Sequence, residues 1–148
     1  MNPKLIGPYF TFFNEVGIIN QLSTAMLESH LPDGMIGAHF RVLNHLVRLG
    51  DGRTPLEMAR AFQVPKTSLT HTLAGLEQAG CITMVANPAD KRSKLVAITD
   101  KGRQMREETI QAMGPDISGL ADKFAPEQIK AILPLLSDIR DFLDKARD

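Results

Sequence analysis

The sequence has no tryptophan, one tyrosine and one cysteine in 148 residues. A single cysteine permits no disulfide within the chain, which fits a reducing compartment, so a cytoplasmic location is expected. No apolar run approaches the ~20 residues needed to span a bilayer, and Met1-Asn2-Pro3-Lys4 lacks the apolar core of a signal peptide. The four histidines (His30, His39, His45 and His71) include no i, i+4 pair, and neither H-E-x-x-H nor C-x-x-C occurs. No metal site is therefore expected. A nucleophile motif, a phosphate loop and a coherent acid–base set are all missing, so neither an enzyme nor a cofactor is expected. Internal repeats and low-complexity segments are also lacking.

Net charge is absent as well: 17 Lys/Arg balance 17 Asp/Glu. The distribution is less even than the total. Residues 1–65 hold five of each sign, residues 66–103 hold six basic and three acidic, and residues 104–148 hold six basic and nine acidic. Positive charge thus gathers in one central stretch, which is the footprint expected of a nucleic-acid contact. With 43% hydrophobic and 23% charged residues the chain should be globular, with a core of its own.

That central stretch carries the clearest local signals. Thr54 is an N-cap, Pro55 suits the first helical position, and Glu57 completes a T-x-x-E capping box, with Leu56, Ala59 and Phe62 expected to face inward. A second helix is expected from Lys66 to Ala79, burying Leu69, Leu73 and Leu76. At 100° per residue, Thr67, His71, Ala74 and Gln78 point the other way, with Ser68 and Thr70 on the flanks. Short polar side chains without bulky hydrophobes suit a helix in a major groove, although an ordinary solvated face has the same composition. Gly80 follows as a C′ residue. Ile82 and Met84, joined by Cys81, read as a strand; Asn87-Pro88-Ala89-Asp90 as a turn; Leu95–Ile98 as the return strand. The expected class is mainly α, a winged helix-turn-helix with a small β-hairpin wing.

The flanks read as helices. Residues 8–30 place Phe12, Val16, Ile19, Leu22 and Met26 on one stripe, with Pro8 in the first turn. Phe10, Phe13 and Ile18 lie off that stripe, either packed in the core or pressed on a partner chain. Residues 36–49 place Ile36, Phe40, Leu43 and Val47 on one side, with Leu46 beside them. Thr99 caps a long helix over about 100–123, kinked at Gly114-Pro115. Pro126 starts a last helix with Ile129, Ile132, Leu136, Ile139 and Leu143 as its stripe and Pro134 inside it.

Together T-P-L-E-M-A, L-T-H-T-L-A-G-L-E-Q-A-G and D-K-R-S-K-L-V-A-I-T-D-K-G resemble the MarR family of bacterial transcription regulators. The wing pattern (Asp90, Arg92, Ile98, Thr99 and Gly102) is the most specific piece. The resemblance covers about residues 8–146. It implies residues 35–100 as a DNA-binding lobe, with 1–34 and 101–148 forming a dimerisation region. Two copies of the lobe would bind a pseudo-palindromic operator on double-stranded DNA as a repressor. It also implies a pocket for a small aromatic acid effector, which we expect near Phe13, His39 and Arg103. This chain departs from the family in carrying Met84 and Val85 where basic residues are common on the first wing strand, and Pro65 where Ser, Thr or Asp often starts the recognition helix.

On this reading Thr67, Thr70 and His71 are base-edge candidates. Lys66, Ser68, Lys91 and Lys94 are phosphate candidates, and Arg92 is a minor-groove candidate. Asp90 is expected to pair with a basic side chain and fix the wing. Two competing readings remain: a winged helix used only as a protein-interaction module, and a regulator sensing redox through Cys81, which would need an accessible thiol of low pKa.

Overall fold

The structure, a computed structural model, describes residues 2–147. Its elements run α1 (Pro3–Glu28), α2 (Gly37–Leu49), α3 (Pro55–Phe62), α4 (Lys66–Gln78), β1 (Ile82–Ala86), β2 (Lys94–Ile98), α5 (Asp100–Ala112), α6 (Gly114–Ala121) and α7 (Pro126–Ala146). The chain divides into two compact units, Met1–Ala112 and Met113–Asp148. Among the described residues no helix is long and apolar enough to cross a membrane.

The core of the first unit forms where three helices and the hairpin meet. Leu69, Leu73 and Leu76 of α4 pack with Val42, Leu43 and Leu46 of α2, with Met58 and Ala59 of α3, and with Cys81, Ile82, Val96 and Ile98 of the hairpin. Burying each large aliphatic side chain contributes about 1.5–3 kcal/mol, and Met35 and Met105 pack against the same cluster from the segments on either side. The strands are antiparallel in the register Ile82↔Ile98 to Ala86↔Lys94. Period 2 therefore puts Ile82, Val96 and Ile98 inward and leaves Thr83 and Val85 outside. A single bridge from Arg53 to Val96 adds a third, one-residue rung.

Behind the hairpin, the Thr99-x-x-Gly102 pair joins wing to helix. Thr99 Oγ1 donates to the Gly80 carbonyl at 2.7 Å and accepts from the Gly102 N–H at 3.1 Å. A Cβ at Gly102 would stand 2.1 Å from the Cys81 carbonyl oxygen, so only glycine fits this crossing. Arg106 Nε donates to Asn44 Oδ1 at 3.1 Å, tying α5 to α2.

Several sequence expectations are corrected. The first helix begins at Pro3, five residues early, because Asn2 accepts the Lys4 N–H and Pro3 fills the first position; Pro8 lies inside it. Its stripe is not core: Ile19 is 61% and Leu22 68% exposed, and α1 buries no residue. In α2 the buried face is Val42, Leu43, His45 and Leu46, while Ile36 caps the helix from outside and is 52% exposed. In α3, Met58 takes the inward place expected of Leu56, which is 49% exposed. The helix expected over 100–123 is two helices, because Pro115 starts a new one. The last helix runs through Pro134 from Pro126 to Ala146 with no buried residue.

Candidate nucleic-acid interface

The reading helix is set by its entry. The Thr54 hydroxyl accepts the Glu57 N–H at 3.2 Å and a Glu57 carboxylate oxygen accepts the Thr54 N–H at 2.7 Å, so α3 starts at a fixed residue. The same bond to the Thr54 backbone holds the Glu57 carboxyl below its ordinary range. The α3–α4 turn then passes through Gln63 at φ 54°, where its side-chain amide donates to the Arg60 carbonyl at 2.7 Å. Pro65 occupies the N-cap of α4, and no side chain caps that helix.

From this start, Leu69, Leu73 and Leu76 are buried, and Lys66, Thr67, Ser68, Thr70 and His71 are all exposed. Thr70 Oγ1 donates to the Lys66 carbonyl at 2.9 Å, which spends its proton and leaves its lone pairs outward.

The wing lies beside the start of α4. Lys66 and Thr70 line one cleft of about 560 Å³ with Asp90, Arg92 and Lys94 of the hairpin, with Pro55 and Leu56 of α3, and with its N-cap Thr54. The structure thus gathers five of the nine residues named for DNA contact or wing structure around one concavity. Thr67, Ser68 and His71 stand elsewhere on the exposed side of α4, and Lys91 is exposed in the wing turn. Lys94 belongs to β2, where it pairs with Ala86, and not to the loop.

The wing turn is organised by its own polar groups. Asp90 Oδ1 accepts the Arg92 N–H at 3.0 Å and Arg92 Nε at 3.3 Å. Asn87 Oδ1 accepts the Ala89 N–H at 3.0 Å, and Asn87 Nδ2 donates to Ser93 Oγ at 2.9 Å. The Arg92 side chain is 92% exposed. An exposed pair of this kind is worth about 0–1 kcal/mol, so the guanidinium can leave Asp90 at little cost.

Phe13, His39 and Arg103 stand on three different helices, α1, α2 and α5. A second cleft, of about 370 Å³, lies among the α1–α2 linker (Pro32, Asp33 and Met35), the end of α4 (Ala79), Cys81, and Lys101, Gln104, Met105 and Glu108 of α5. None of the three lines it. Phe13 is exposed on α1 and packs edge-on to Phe12, with ring centroids 5.3 Å apart. Arg103 is exposed on α5. His39 faces α4 and not α1: its Nδ1 accepts the Ile36 N–H at 3.0 Å, and its Nε2 lies 2.9 Å from where a Cβ at Gly75 would stand.

Cys81 is 1% exposed. Burial pushes its thiol up, outweighing Lys101, which pulls the other way. A buried thiol held protonated is poorly suited to redox sensing.

Sequence reasoning missed three supports of this surface. Asp51 Oδ1 accepts the Ile98 N–H at 2.8 Å and pins the return strand. The Arg53 carbonyl accepts the Val96 N–H at 2.9 Å, and the neighbouring Gly52 N–H donates to the Val96 carbonyl at 2.9 Å. His45 is buried with its ring 4.9 Å from Phe62. Asp51 and Arg53 sit in a Gly-Asp-Gly-Arg loop that reads only as a helix ending, and His45 belongs to no motif.

The sequence profile of the MarR family matches residues 33–93, which span α2 to the wing turn. The multiple antibiotic resistance protein MarR of Escherichia coli (strain K12) is 31% identical over 103 residues, covering 69% of this chain and 71% of that protein. The HTH-type transcriptional repressor YetL of Bacillus subtilis (strain 168) is 25% identical over 143 residues, covering 96% of this chain and 86% of that one. Among solved structures, a cysteine-to-serine variant of E. coli MarR complexed with operator DNA superposes with a TM-score of 0.69 at 26% identity, covering 91% of this chain and 97% of that one. With a winged helix built by its own core and a relative of this identity and extent, the chain belongs to the MarR family of transcriptional regulators.

Proposed function

We propose that this protein is a homodimeric, ligand-responsive repressor that binds a pseudo-palindromic operator on double-stranded DNA. The observation that carries the reading is the exposed polar side of α4, free of large hydrophobes, next to a wing bearing Lys91, Arg92 and Lys94. That a related MarR is complexed with operator DNA supports it. Thr67, Thr70 and His71 would meet base edges; Lys66, Ser68, Lys91 and Lys94 would meet phosphates. The first turn of α4, uncapped by any side chain, adds N–H groups and the positive end of the helix dipole to the phosphate contacts. Arg92 would enter a minor groove narrowed by A·T pairs, leaving Asp90 to hold the wing turn through the Arg92 N–H.

The dimerisation role belongs, on this reading, to α1 and the two C-terminal helices. The 370 Å³ cleft at the foot of α4 would hold the small aromatic acid, with Lys101 as its cation against Asp33 and Glu108 on the rim and Met35 and Met105 as an apolar wall. An effector there would act only by favouring one separation of the two α4 helices over another.

The test uses a duplex selected from a random library by the wild-type protein, with a scrambled duplex as control. Replacing His71 by Ala should cost roughly 1–3 kcal/mol on the selected duplex and little on the scrambled one. Lys94→Ala should weaken both and lower the log–log salt slope by about one. Equal proportional losses from both variants would refute the division of labour. Failure to select any duplex would refute DNA binding itself.

A further inference from the structure

The imidazole of His39 occupies an unusual position between two helices. It belongs to α2, yet its Nε2 lies 2.9 Å from where a Cβ at Gly75 of α4 would stand, so a side chain there would have to push the ring aside. Its other nitrogen, Nδ1, accepts the Ile36 N–H at 3.0 Å, so in the neutral ring the proton sits on Nε2, facing α4. The ring is therefore held at one end by the start of α2 and pressed at the other on the backbone of the reading helix. The start of α2 is itself anchored, because Glu28 Oε1 accepts the Gly37 N–H at 2.7 Å. A Cβ at Gly37 would meet Thr24 Cγ2 at 3.0 Å, so α2 also packs closely on α1 there.

On α4, Gly75 stands one turn after His71, on the same side of the helix. Burial, and then the charge of nearby His71, lower the His39 pKa, which places the two imidazoles within electrostatic reach. The buried leucines hold α4 on one side; a roll of the helix about its own axis would move Gly75 against the ring or away from it. A planar ring against a residue without a side chain is a stop against that roll.

We propose that His39 is the positioning residue of the reading helix: its ring, clamped through Nδ1 to the start of α2, seats α4 at Gly75 and thereby aims His71. The inference rests on the DNA-binding reading above. It predicts that the space is shared, so that ring and Cβ are alternatives, and that losing the ring harms discrimination more than stability.

The experiment measures affinity for the wild-type-selected duplex and for its scrambled control, well below the melting temperature, for four variants: His39→Gln, His39→Ala, Gly75→Ala and the double variant His39→Ala/Gly75→Ala. His39→Gln keeps an acceptor for the Ile36 N–H but removes the ring. It should melt close to wild type while its selected-over-scrambled ratio falls by about tenfold, the scale of one lost base-edge contact. Gly75→Ala, which forces the ring away, should fall similarly. The double variant should recover part of the ratio, because the added methyl takes the ring's place. A ratio for His39→Gln within about twofold of wild type would overturn the proposal, as would a double variant whose losses simply add. Wild-type protein that selects no duplex would instead sink the DNA-binding reading, and this inference with it.

Discussion

Between Val42 and Ile98 twelve apolar side chains are buried against one another; along α1 and α7 not one described residue is buried. Yet the end helices are as rich in large hydrophobes as the lobe. Tyr9, Phe10, Phe13 and Leu22 are exposed on α1, and Leu133, Leu135 and Phe142 on α7. The difference teaches where the chain completes its own structure and where it does not. Apolar stripes at helical spacing state only that something must cover them. In the lobe the covering surface is a neighbouring helix of the same chain. At the ends a surface of that size on a lone chain is more than monomers usually tolerate, which argues for a second copy.

The comparison breaks most readily in the lobe. Leu73→Ala should lower the unfolding free energy by about 2–5 kcal/mol, since the side chain is fully enclosed and its neighbours collapse only in part. Chemical denaturation at two protein concentrations checks this, and a loss under about 1 kcal/mol would show a core far looser than the packing described. A smaller loss is expected at the rim. Thr54→Ala removes the acceptor for the Glu57 N–H and should cost about 1 kcal/mol by the same assay.

The pH response should be smaller again. His39 has a folded pKa below its unfolded value, through burial first and His71 second. The native state therefore binds fewer protons at this site. Its contribution is fully present above the unfolded value of about 6.5 and is lost as pH falls through that value toward the folded one. The melting temperature of wild-type protein should fall more steeply between pH 7 and pH 5 than that of His39→Gln. Parallel curves would mean that the ring titrates as freely in the folded state as in the unfolded one.

What was legible in the sequence follows the same divide. The capping box at Thr54, the α4 stripe, the Gly80 turn and the paired strands are local signals, and each is found where its residues place it. On α2 the inward places of Leu43 and Leu46 were legible, but Ile36 shares their periodicity and is exposed, while Val42 and His45 are buried by packing against other segments. The exposure of Leu22 and Ile19 could not be read at all, since periodicity is identical for a core and a partner. At the candidate site, the residue types and their positions on α4 and the wing were readable from spacing. The seat of His39 on Gly75, and the Asp51 tie to the return strand, depend on contacts between segments far apart in sequence and left no trace in it.

Sedimentation equilibrium at micromolar concentration tests most directly the claim that the lobe is complete in one chain and the ends in two. The account predicts a single species of twice the 16.3 kDa chain mass, dissociating only as the protein is diluted or denatured. A single species at 16.3 kDa, folded and stable, would contradict it.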